Sequence, residues 1–223
     1  MPARGCRGPT SRQLSVLLDA HARSLAACRR CTFADPAIRP VVSASREPLA
    51  MLVGQAPGKT EVVDRRPFAG RAGRTLFRWL GEVGIDEAVA RRRIYIAAVT
   101  RCFPGSSPTG RGDRLPSSQQ IANCASWLDA EIEIIAPKVI IPVGRLAIER
   151  FLGAAPLANL VGRAHRLGDR RGAPLAIPLP HPSGASSWIH TSGHMDLVRA
   201  ALALIAAYVP QLVRESERDR SVA

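Results

Sequence analysis

Four short apolar runs punctuate the chain: Leu49–Val53, Ile94–Thr100, Val139–Val143 and Leu175–Leu179. Each is continuous rather than alternating, the pattern of a strand covered on both faces. Around them, apolar positions recur at helical spacing over Ser11–Ala27, Arg71–Val83, Ser117–Ile135, Arg145–Leu152 and His194–Val209. Strands alternating with helices predict an α/β fold, a three-layer α/β/α sandwich around a four-stranded, mainly parallel sheet. No internal repeat interrupts this order. With 223 residues, 46% of them hydrophobic, the chain can bury one sizeable core. A single domain over 11–213 is expected, after a flexible basic leader at 1–10 and before a charged tail at 214–223 that frays.

In open α/β sheets, ligands bind beyond the carboxyl ends of the strands. Those ends carry Gly54-Gln55-Ala56-Pro57-Gly58, Arg101-Cys102, Gly144 and His181-Pro182-Ser183, so the informative residues gather on one edge. Phe103–Leu115, rich in Pro, Gly, Ser and Arg, reads as a solvent-facing loop. The longest apolar stretches, such as Lys138–Gly144 and Ala200–Val209, fall short of the roughly 20 residues that cross a bilayer. Asp19, His21 and Arg23 follow Leu14–Leu18 at once and break any signal-peptide core, so a cytoplasmic protein with no membrane partner is expected; a monomer is expected as well.

Charge changes the picture. The net charge is +13, from 31 basic against 18 acidic residues, and the pI is about 11.1. A field of that sign attracts polyanions and points to nucleic acid. Genomic bias explains arginine over lysine, which occurs only at Lys59 and Lys138, but not the excess of cations. With only 4% aromatic residues, a single-strand groove paved with stacked rings is not expected.

Five cysteines add candidate chemistry. Cys28 and Cys31 form a C-x-x-C pair where the first helix ends, Cys102 sits past the second strand, and Cys124 lies in the next helix. Thiols in this pattern bind metal or do redox chemistry more often than they form structural disulfides. A thioredoxin-type motif follows a strand and opens a helix, which this pair does not. Four thiolates can hold zinc or an iron–sulfur cluster, or remain unligated in the core. Cys6, in a Gly-Pro-Arg-rich leader, is expected to ligate nothing.

Three segments carry the rest. GQAPG (Gly54–Gly58) fits neither the dinucleotide fingerprint nor the Walker loop, but its glycines allow close approach of backbone to a ligand. In RPFAGRAG (Arg66–Gly73), Phe68 can stack on a planar base, although a lone Phe is more often core. His181, in HPSG (His181–Gly184), stands at a strand end in a polar loop and is hard to dismiss as core.

Together these segments resemble the uracil-DNA glycosylase superfamily, from about Cys28 to about Leu204. GQAPG is similar to its first motif, RPFAGRAG to its base-stacking segment, and HPSGASSW to its second motif. The cysteines resemble the iron–sulfur branches, families 4 and 5. The resemblance implies a hydrolase acting on N-glycosyl bonds. It would take DNA containing uracil or another deaminated base on the nucleoid, flip the base out and initiate base excision repair. It implies that Phe68 stacks on the base, that His181 donates to uracil O2, and that Gly54, Ala56, Ala98 and Ser183 line the pocket. It further implies that Ser186, Ser187 and Trp188, within Ser183–Trp188, enter the minor groove. Cys28, Cys31, Cys102 and Cys124 would hold a [4Fe-4S] cluster, zinc being the alternative. Arg101, Arg111 and Arg114 are candidate phosphate contacts.

Two positions depart from the family 4 pattern. Gln55 stands where that family has Glu, and Ala98 where it has a base-reading Asn; Ala97–Cys102 looks more like family 5. A separate or intermediate branch is therefore implied. Gln55 can orient water but cannot take its proton, which leaves Asp64 and Glu61 as the nearest carboxylates. The competing expectation is a basic, iron–sulfur- or zinc-stabilised DNA-binding module without glycosylase chemistry. An electron carrier should be smaller, more acidic and richer in C-x-x-C repeats.

Overall fold

The computed structural model describes residues 9–33, 35–107, 112–169, 172–183 and 187–222. In chain order the elements are α1 (Ser11–Ala26), β1 (Ala50–Gly54), α2 (Lys59–Asp64), α3 (Arg71–Glu82), α4 (Glu87–Arg93), β2 (Ile94–Ala98), α5 (Ser118–Ile135), β3 (Val139–Pro142), α6 (Arg145–Leu152), α7 (Leu157–Leu160), β4 (His165–Arg166), β5 (Leu175–Ala176), a 3-10 turn (Ser187–His190), α8 (His194–Tyr208) and α9 (Pro210–Val222). The long helices start where capping chemistry dictates. Thr10 and Ser117 each accept from the backbone three residues on, while Gln13 and Gln120 reach back to close the box.

The sheet runs β2-β1-β3-β5-β4. The first three pairings are parallel and β4 is antiparallel to β5. The expected four parallel strands are present, with a two-residue fifth strand too short to show a sequence period. Alternate strand residues feed two cores. Leu52, Ile96 and Ile141 pack with Leu76, Trp79, Leu80, Val198 and Ile205 on one face. Met51, Val53, Tyr95 and Ile140 pack with Leu18, Leu128 and Ala147 on the other. That two-sided burial is why the strands read as continuous apolar runs.

The run Leu175–Leu179 pairs with β3 along its whole length, well beyond the two residues of regular β5. Leu175, Ile177 and Leu179 each donate at 2.9 Å, to Lys138, Ile140 and Pro142. Pro174, Pro178 and Pro180 fall on the alternate positions, where no donor to β3 is needed.

The carboxy-terminal segment corrects an expectation. It is the helix α9 rather than a fraying tail, with Leu212 and Ser216 fully buried. Ser216 Oγ accepts from Asp86 N–H at 3.0 Å. The charges that suggested solvation pair across to α4 and its cap: Arg93 with Glu215, Arg92 with Asp219 and Arg220 with Asp86. Among the described residues, no single helix is long and apolar enough to cross a membrane. Most of the expected leader, residues 1–8, lies outside the described residues.

Candidate active site

Parallel register brings Gly54 and Ala98 side by side at the carboxyl ends of β1 and β2. Beyond them opens a cavity of about 520 Å³, lined by Gly54, Gln55, Ala56, Phe68, Ala98, His181 and Ser183 among others. Every pocket residue expected from the three motifs is therefore in one wall or another. The volume suits a single small ligand.

Phe68 reaches the pocket through a constrained turn. Its φ is +51°, a left-handed conformation that costs a residue with a side chain about 1–2 kcal/mol. Two glycines make the placement sterically possible. A Cβ on Gly54 would stand 3.1 Å from the Phe68 ring edge, and one on Gly73 only 1.8 Å from the Phe68 carbonyl oxygen. The spacing of RPFAGRAG is thus a steric requirement.

His181 sits opposite the strand ends, and Gly144 makes room for it: a Cβ there would lie 3.1 Å from His181 Cδ2. The backbone N–H of Ser183 points at His181 Nδ1 (3.3 Å), and Ser183 Oγ lies 2.9 Å from the same nitrogen. A backbone N–H can only donate, so Nδ1 is an acceptor and the proton of the neutral ring sits on Nε2. Burial lowers the His181 pKa, which keeps the ring neutral. The result is a fixed, uncharged hydrogen-bond donor on a ring that lines the cavity.

The carboxylates are placed differently from expectation. Asp64, proposed to help activate water, ends α2 on the exposed surface and does not line the cavity. The short helix turns it outward. Glu61 does line the cavity, and its Oε2 accepts from Gly58 N–H at 2.9 Å. A second carboxylate was missed: Asp113, on the Pro- and Gly-rich loop, held by a backbone bridge to Ser106. A Cβ on Gly58 would lie 2.7 Å from Glu61 Oε2 and 2.8 Å from Asp113 Oδ2, so this glycine lets both carboxylates approach. Burial raises the Asp113 pKa.

Among the described residues, Lys59, Arg71 and Arg114 line the cavity, and Arg101 stands at its border. Arg101 is a correction. It is 2% exposed, and its guanidinium pairs with the fully buried Glu131. Glu131 also accepts from Tyr95 Oη at 2.7 Å and from His21 Nε2 at 3.2 Å. A guanidinium so buried and paired does not fit the phosphate contact expected of Arg101. Its side-chain Nε and Nη1 have no hydrogen-bond partner among the described residues. Trp188 is also occupied within the fold. Its ring stacks on His194 at 4.1 Å between centroids and packs against the core, which does not fit an insertion into the minor groove. Arg111 and Ser186 lie outside the described residues; Ser187 opens the 3-10 turn.

A second cavity adjoins the first. Cys28, Cys31, Cys102 and Cys124 all line it, each half-buried and unpaired. Arg101 borders both cavities. Burial first, and then the neighbouring Cys124, Cys31 and Cys28, push the Cys102 thiol up to about 12. Four thiols whose ionised forms would repel one another are a donor set that a multivalent cation relieves. Arg29 and Arg30 line the same cavity and add positive charge. Among the described residues, no group of three or more His, Cys, Asp or Glu side chains is arranged to hold a metal ion.

A family model described as "Uracil DNA glycosylase superfamily" matches residues 43–203. A type-4 uracil-DNA glycosylase of Thermotoga maritima is 35% identical over 133 residues, 60% of this chain and 64% of that protein. One of Archaeoglobus fulgidus is 30% identical over 59% of this chain and 62% of its own length. A type-5 uracil-DNA glycosylase of Pyrobaculum aerophilum is 31% identical over 42% of this chain and 44% of its own length. The chain thus spans less than two thirds of each of these relatives.

Proposed function

The chain belongs to the uracil-DNA glycosylase superfamily, and from that premise we propose that it flips uracil out of DNA and hydrolyses the bond between the base and its sugar. An abasic site remains, the first product of base excision repair. The observation that carries this reading is the fixed Nε2–H donor of His181 in the same cavity as Phe68.

A glycosidic bond inside a base stack is out of reach, so the nucleotide rotates out at a cost of a few kcal/mol. Lys59, Arg71 and Arg114 at the cavity supply phosphate contacts that offset this cost. Phe68 stacks on the extruded ring. As the C1′–N1 bond breaks, its electron pair moves onto the base and positive charge grows on the sugar. His181 Nε2–H stabilises the charge developing at O2, in the manner of an oxyanion hole. Water adds its hydroxide to C1′ and its proton finally reaches the base. Gln55 orients that water, and Asp113, whose pKa burial has raised, is a better placed proton acceptor than Asp64.

The four cysteines line one cavity, and the reading supported by the family is that they would hold a [4Fe-4S] cluster, with zinc as the alternative. When bound, the cluster would tie Cys28 and Cys31, the end of β2 and α5 into one unit. Protein purified without oxygen is then expected to be brown, with about four irons and four sulfides per chain. A colourless preparation carrying stoichiometric zinc would overturn the assignment.

Gln55 and Ala98 favour a second reading, a DNA-binding module without base chemistry, since Gln55 offers no carboxylate and Ala98 no polar group to read the base edge. A cleavage panel decides between them, using single- and double-stranded oligonucleotides that carry uracil, hypoxanthine or a T·G mismatch. Strand scission at uracil after alkali is expected. No product from any oligonucleotide would leave the binding module.

A further inference from the structure

The left-handed turn at Phe68 needs something to hold it, because a strained backbone persists only where its surroundings over-determine it. Gly54 and Gly73 permit the turn but do not fasten it. The fastening comes from α4. Arg91 Nη1 donates to the Pro67 carbonyl and Nη2 to the Phe68 carbonyl, each at 2.9 Å. Both prongs of one guanidinium thus grip consecutive peptide units of the turn that carries the ring.

Arg91 is itself immobilised. Its Nε donates to Glu87 Oε1 at 2.7 Å, one turn back on the helix. Its guanidinium lies over the Phe77 ring, 4.2 Å from the centroid, and Phe77 belongs to the buried face of α3. The side chain is 17% exposed. A planar fork gripped on both sides is a geometry lysine cannot reproduce. Arg91 does not line the cavity, so it touches neither base nor sugar.

We propose that Arg91 is a positioning residue for base capture, holding Phe68 in the conformation in which its ring closes the pocket. This inference rests on the glycosylase reading. The role resembles that of substrate-positioning groups, where about 1 Å of misplacement costs on the order of 10²-fold in rate.

The test is single-turnover uracil release by the full chain, with Arg91→Ala, Arg91→Lys, Phe68→Ala and the Phe68→Ala/Arg91→Ala pair. Both Arg91 variants are expected to lose about 10- to 100-fold in the maximal rate, while the half-saturating DNA concentration stays unchanged. Ethylguanidinium is expected to restore part of the Arg91→Ala rate and none of the double variant's. In the Phe68→Ala background, loss of Arg91 should add little, since groups acting through one another are not additive. Thermal melts identify any variant that has simply lost its fold, and Arg91→Lys, which keeps charge and bulk, then carries the test. A wild-type rate in Arg91→Lys, or independent, multiplying losses in the pair, overturns the role of Arg91 alone. Wild-type protein that releases no uracil defeats the glycosylase reading, and this inference falls with it.

Discussion

Alanine at His181 is expected to lower uracil release by about 10²–10³-fold, the usual loss when one oxyanion-type donor is removed. The fold should survive, because the ring lies at the cavity wall and its neighbours Gly144 and Ser183 are backbone and loop. Near-wild-type release by the variant would remove the role. The pH dependence carries a sign as well. Burial lowers the His181 pKa, so the neutral donor persists below the ordinary imidazole value of about 6.5. Release should not fall as pH drops through that value on account of this group. Stability behaves differently. The unfolded chain takes up a proton below about 6.5 that the folded chain refuses, so folding weakens as pH falls toward the lowered folded value. Above 6.5 the effect vanishes. Melts of His181→Ala should lose part of that acid sensitivity, whereas His21, whose pKa is lowered by burial and then by Arg101, retains its share.

The largest effect on stability is expected at Glu131. Alanine there leaves the Arg101 guanidinium buried with no counter-charge and strips a partner from Tyr95 and His21. Breaking a buried pair from one side costs about 3–5 kcal/mol. For a chain of this length, that corresponds to a melting temperature lower by about 6–20 °C. Denaturant titration is the direct measurement, and a loss below about 1 kcal/mol would mean that water or rearrangement supplies what Glu131 did.

Glu131 also shows what was legible in the sequence and what was not. The strands could be read because burial on both faces leaves an unbroken apolar run. The pocket could be read because two of the three short motifs fall at strand ends, where α/β sheets bind ligands. Arg101 could not be read from its own surroundings. Beside a polar loop in a chain of net charge +13, an arginine looks like a phosphate contact. Its burial depends on a carboxylate 30 residues away. A signal did exist: Glu131 lies three residues after Leu128, on the apolar face of α5, and a charge on such a stripe needs a partner. Asp113 was hidden because its loop shows no periodicity, and its approach to Gly58 is purely tertiary. Arg91, one of three arginines in the last turn of α4, carries no signal in the sequence, because its two carbonyl partners come from the distant turn at Phe68. The last helix was misread because alternating charge describes a solvated tail and an ion-paired face equally well.

The prolines beside β3 have a consequence for the unfolded chain. Pro178, Pro180 and Pro182 alternate through Ile177, Leu179 and His181, so three successive rings fix their own φ near −65° and bias the residue before each toward extended backbone. Much of the conformational freedom that would otherwise be surrendered on ordering this segment is absent before folding begins. His181 therefore stands at the end of a stiff rod rather than on a loop, and thermal fluctuation of its backbone is damped by covalent structure. A donor that must already be aimed when charge appears on the base is served by a segment with few other places to be.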